Sequence, residues 1–144
     1  MQFRHTYLDA NSVAMTLATL YWLDDDMEQA MFYAGLIKDF LSVISENDSI
    51  EAAWLSKTRA HLYALNGNGE EAIEELGKAI DMGERDFRIF MHPAFNELRN
   101  NPGYITLMER WLGLINMERE KLGLDPVHLN YAAGPGVIPF ELDL

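Results

Sequence analysis

The chain has 144 residues, 49% of them apolar, enough for one domain with a buried core and too apolar for a disordered segment. Its 23 acids against 11 bases leave a net charge of −12, which argues against direct nucleic-acid binding, because phosphate backbones need neutralising cations. There is no cysteine for a disulfide or thiolate metal site, and no apolar run approaches the roughly 20 residues that span a bilayer, so membrane insertion is not expected.

Met1 to His5 lack an apolar stretch of secretory length, so no signal peptide is expected, and the compartment stays open between cytosol and periplasm. Asn11 and Ser12 are candidate N-caps for a first helix with Val13, Leu17, Leu20 and Tyr21 on one face. Asp24 to Asp26 form a turn whose carboxylates suit the positive end of the next helix. That second helix carries Ala30, Tyr33, Ala34, Ile37, Phe40, Leu41 and Ile44 at three-four spacing. Polar residues 45–49 break the pattern, and a third helix is predicted from about residue 50 to Leu65 with Trp54, Leu55, Leu62 and Leu65.

Asn66-Gly67-Asn68-Gly69 reads as a turn in which Gly67 takes the positive φ of a helix C-cap. A fourth helix places Ala72, Ile73, Leu76, Ala79 and Ile80 together and stops at Gly83. Pro93 and Pro102 each suit the first position of a helix. The first opens only a short turn over residues 94–98. The second opens a long helix with Tyr104, Met108, Trp111, Leu112 and Ile115 inward, ending near Gly123. Beyond Lys121 there is no lysine or arginine, and Gly134-Pro135-Gly136 and Pro139 forbid regular helix. Residues 1–123 are therefore read as a helical domain and 124–144 as an extended tail.

One segment occurs twice, 42 residues apart. Thr16, Ala18, Leu20, Tyr21, Leu23, Glu28, Ala30 and Gly35 recur as Thr58, Ala60, Leu62, Tyr63, Leu65, Glu70, Ala72 and Gly77. Small residues let paired helices approach, and Tyr21 and Tyr63 can fill the wedge between neighbouring pairs. At these positions the pattern resembles the tetratricopeptide repeat: a small residue, an aromatic three later, an alanine nine after that. Gly67 matches the glycine that follows the aromatic, whereas the first copy has Asp25 there. The family's first-helix tryptophan is Ala14 and Ser56 here, its closing proline is missing, and the spacing of 42 exceeds the family's 34.

The stretch 79–110, with His92-Pro93-Ala94-Phe95-Asn96-Glu97-Leu98-Arg99 leading to Pro102, is similar to the closing segment of tetratricopeptide regions in bacterial modular signalling proteins. These include membrane-anchored winged-helix transcription regulators and some nucleotide cyclases. The resemblance implies an all-α fold: two helical hairpins in an α-α superhelix, a long C-terminal capping helix and an extended tail. It implies a non-catalytic module that binds a protein or peptide in a concave groove, as the sensory or scaffolding part of a regulatory protein. The alternatives are a structural homodimer without a ligand, and a small-molecule sensor.

Nothing points to chemistry. His5, His61, His92 and His128 show no zinc-ligand spacing. Asp24 to Asp26 lack the alternation and central glycine of a calcium loop, and no nucleophile elbow or phosphate loop occurs. No catalytic residue, metal or cofactor is expected. The candidate binding residues are Trp22, Phe32, Tyr33, Trp54 and His61, aromatic rings on or near helix faces. Val137, Ile138, Phe140, Leu142 and Leu144 are expected to dock the tail, in extended form, on a helical face of the same chain or of a second copy.

Overall fold

Each helical pair turns on the same backbone device. The helix ending at Leu23 and the helix ending at Leu65 both stop on a residue of positive φ, Asp25 at 58° and Gly67 at 76°. The amides of Asp26 and Asn68 reach back to the carbonyls of Tyr21 and Tyr63, at 2.9 and 2.8 Å. Those of Asp25 and Gly67 reach Trp22 and Ala64, at 3.3 and 3.0 Å. These two bonds are the Schellman pattern, which satisfies carbonyls that a helix end leaves open. The 42-residue repeat thus extends from side chains to the hydrogen bonds of the turn.

This is a computed structural model, describing residues 2–44, 52–129 and 140–141, with side chains over 12–44, 53–86 and 88–128. The chain is mostly helical. In order come α1 (Gln2–Leu23), α2 (Met27–Val43), α3 (Ala52–Leu65), α4 (Gly69–Asp81), two 3₁₀ turns (Phe87–Met91 and Pro93–Leu98) and α5 (Pro102–Lys121). A two-residue ladder follows, β1 (His128–Leu129) antiparallel to β2 (Phe140–Glu141). α1 pairs with α2, α3 pairs with α4, and α5 packs against α4. Among the described residues no helix is long and apolar enough to cross a membrane.

Two apolar clusters hold these elements. The first joins Met15 and Ala18 of α1, Ala34 and Ile37 of α2, Leu65 of α3 and Ala94. The second joins Ala60, Leu76, Ile80, Phe90, Phe95, Tyr104, Met108 and Trp111. Ala64 touches both. Ala18, Ala30, Ala60 and Ala72 are completely buried, so backbones close in where a larger side chain would hold them apart. Tyr104 lies fully inside, and its hydroxyl donates to the Phe90 carbonyl at 3.2 Å.

Two sequence expectations need correction. Asn11 and Ser12 do not cap α1; they lie within it, because residues 2–11 contain no glycine or proline to stop the helix. Nor are Val13 and Leu20 on its buried face. They are 59% and 55% exposed, while Met15, Ala18 and Thr19 are buried instead. Small side chains win the crossing with α2, so the larger apolar stripe is turned outward.

The proline expectations match the structure. Pro102 opens α5, and the Asn101 side-chain oxygen accepts from the amides of Gly103 and Tyr104, at 2.8 and 3.4 Å. The beginning of the tail is fixed to α5 by two side chains: Arg119 Nε donates to the Asp125 carbonyl at 2.6 Å, and Asn116 holds Val127. Asn116 Oδ1 accepts from the Val127 amide at 2.8 Å, and its Nδ2 donates to the Val127 carbonyl at 2.9 Å. Val127 is buried as a result. Val137, Ile138, Leu142 and Leu144 lie outside the described residues, and of Phe140 only the backbone, paired with Leu129, is described.

Candidate functional site

The site with the most chemistry is a cleft of about 360 Å³ between α1 and α3. α1 contributes Ser12, Met15 and Thr16, and α3 contributes Trp54, Lys57, Thr58 and His61. Spacings of three and four put each set on one helical face. Ser12, Met15 and Thr16 are the repeat counterparts of Trp54, Lys57 and Thr58, each 42 residues earlier. The two hairpins therefore present the same face of their first helices to one opening. Thr16 and Thr58 even share a bond: each hydroxyl donates to the carbonyl four residues back, at 2.9 Å. Those hydroxyls are occupied within their own helices.

His92 comes from the junction between the two 3₁₀ turns and joins the lining of the cleft. Its Nδ1 accepts from the Ala94 amide at 3.3 Å, the capping role that Pro93 makes possible. Its ring stacks on His61 with centroids 4.1 Å apart and 26° between planes. Phe95 backs His61 at 5.0 Å. His61 Nε2 is sealed from solvent and has no hydrogen-bond partner among the described residues.

Burial, then the neighbouring His92 and Lys57, hold the His61 imidazole well below its ordinary pKa. Burial alone lowers His92 to about 4. Both rings are neutral at physiological pH. The Lys57 ammonium is paired with Glu84 at 2.9 Å. Burial would raise the Glu84 carboxyl, but the Asp86 amide and Lys57 outweigh it and hold it low. The cleft therefore offers a flat, uncharged aromatic lining with one compensated cation at its wall.

Of the sequence candidates, Trp54 and His61 meet in this cleft. Trp54 also meets Phe40 edge-to-face at 6.4 Å. Trp22 and Tyr33 are elsewhere, half-buried against the first cluster, and the Tyr33 ring stacks parallel on Tyr21 at 5.7 Å. Phe32 is 58% exposed, touching Tyr33 edge-on at 5.2 Å. Sequence reasoning missed Ser12, Met15, Thr16, Lys57 and Thr58, although carrying the 42-residue offset through Trp54 points to Ser12 directly. His92 has no such signal.

A second groove of about 510 Å³ runs between α2 and α3, lined by Met31, Gly35, Leu41 and Leu62 together with Lys38 and Arg59. Among the described residues no group of three or more histidines and carboxylates converges to hold a metal. No family model, curated protein or solved structure matches the chain.

Proposed function

We propose that this chain is a non-catalytic binding module, two helical pairs stacked in the tetratricopeptide manner, which holds a peptide or protein segment in the α1/α3 cleft. In this reading it serves as the sensory or scaffolding part of a bacterial regulatory protein. The observation that carries the proposal is that equivalent positions of both repeats line one opening, with Trp54, His61 and His92 as its aromatic surface. A repeated helical face that lines a groove is suited to an extended segment. The neutral rings and the paired Lys57 favour an apolar or aromatic anchor over a charged one. The net charge of −12 favours basic residues flanking that anchor, through the field of the whole chain.

Selection from a displayed random-peptide library tests this. Enriched peptides should carry an aromatic or large aliphatic anchor beside lysine or arginine. Trp54→Ala should weaken them at least about tenfold, as loss of an aromatic anchor does. Ser12→Arg, at an exposed position on the rim, should block them without disturbing the core. Failure to enrich any peptide, or binding indifferent to both substitutions, would overturn the reading.

A further inference from the structure

The first hairpin carries apolar side chains on its outside that its own fold does not use. α1 exposes Val13 (59%), Leu20 (55%) and Leu23 (50%), and α2 exposes Phe32 (58%), Leu36 (47%) and Val43 (77%). Each set follows helical spacing, and the two helices are antiparallel neighbours. The repeat shows what the α1 stripe is equivalent to. Its counterparts on α3 are Leu55 and Leu65, at 4% and 2% exposure, and Leu62, which packs into the first hairpin's cluster. On α3 this stripe is covered; on α1, among the described residues, it is bare.

The α2 stripe has a different origin. Its counterparts in the second repeat are Glu74 and Lys78 on α4 and Arg85 in the loop that follows, all charged. A hairpin stacked in front, as the first is stacked on the second, would cover Val13, Leu20 and Leu23. It would leave Phe32, Leu36 and Val43 outside the contact, at positions where the second repeat carries charge. Covering both stripes takes a partner that spreads over two antiparallel helices.

The area matches one such partner. Six side chains at about 100 Å² each leave on the order of 600 Å² of apolar surface, which with a polar rim approaches the about 800 Å² per partner of a stable interface. That is the upper end of what a monomer ordinarily exposes, and patches of this size often serve as contact surfaces. We propose that the outer face of the first hairpin is the contact surface of a homodimer, with α1 and α2 of one copy against α1 and α2 of its mate about a two-fold axis. A face used twice needs no second complementary surface, which is why two-fold dimers predominate among assemblies.

The second repeat supplies the test. The double substitution F32E/L36K gives α2 the residues that α4 carries at Glu74 and Lys78, a favourable pair one turn apart that leaves helix formation intact. Sedimentation equilibrium of the full chain should give twice the 16.5 kDa chain mass at about 100 µM. F32E/L36K should sediment as a single chain at that concentration, with unchanged far-ultraviolet circular dichroism. L20K, on the neighbouring stripe, should weaken association at least about tenfold. A wild-type chain that is monomeric at about 100 µM overturns the proposal. So does a dimer that survives F32E/L36K, or one that instead needs residues 130–144, which would assign the contact to the tail.

Discussion

Mild acid should loosen this protein through the His61–His92 stack before its carboxylates protonate. In the folded chain burial lowers His92 to about 4 and puts His61 well below its ordinary value. In the unfolded chain both imidazoles return to about 6.5. For a base lowered on folding, the unfolded state takes up protons first. Stability is therefore complete above about pH 6.5 and falls as the pH drops through that value towards the folded one. At pH 5 the unfolded His92 is almost fully protonated and the folded one almost not, a difference of about 2 kcal/mol. His61 adds to it in the same direction. Glu84, Asp86 and Glu118, whose pKa values are lowered, act in the same sense but only at lower pH. Urea denaturation followed by circular dichroism at pH 7 and pH 5 measures the loss. The double variant H61F/H92N removes both imidazoles, while the side-chain oxygen introduced by His92→Asn keeps an acceptor for the Ala94 amide. Its loss between the two pH values should shrink below about 0.5 kcal/mol. Equal wild-type stability at the two pH values, or an undiminished loss in the double variant, would mean that the His61–His92 stack does not carry the acid sensitivity.

Ala18→Leu or Ala60→Leu forces a branched side chain into a completely buried crossing and should cost about 1–3 kcal/mol in thermal melts. Gly67→Ala, at φ 76°, should cost about 1 kcal/mol, whereas Asp25→Gly, at φ 58°, should be neutral or slightly stabilising, both read by urea denaturation. Asn116→Ala removes both bonds that hold Val127 and should cost about 1–3 kcal/mol, with faster amide exchange at residue 127 than in the parent chain. Fluorescence anisotropy at physiological salt should show no binding to duplex DNA, as a net charge of −12 requires.

Much of the helical frame is legible in the sequence because local rules write it. Gly67, Gly83 and Gly123 mark helix ends by their positive φ, and Asn101-Pro102 marks the start of α5 by its cap. The buried stripes of α2 and α4 follow from their three-four spacing. Orientation is less legible where both faces of a helix carry apolar groups. On α1 the choice between Val13/Leu20 and Met15/Ala18 is made by how closely α2 approaches, which periodicity does not encode. The Phe87–Met91 turn has no three-four pattern to announce it. The cleft is half legible. Trp54 and His61 stand out as rings, but His92 reaches His61 only because the Pro93–Leu98 turn packs on α3. The bond pair between Asn116 and Val127 likewise joins residues with no local signature.

In the proposed function, ligands enter between α1 and α3. Chemical-shift mapping of a library-selected peptide titrated into the labelled chain tests it most directly. The largest changes should fall at the Trp54 indole N–H, the Met15 methyl and the His61 and His92 rings, with Phe32 and Leu36 silent. Changes centred on Lys38, Arg59 and Leu41 in the α2/α3 groove, with the Trp54 indole unmoved, would contradict it.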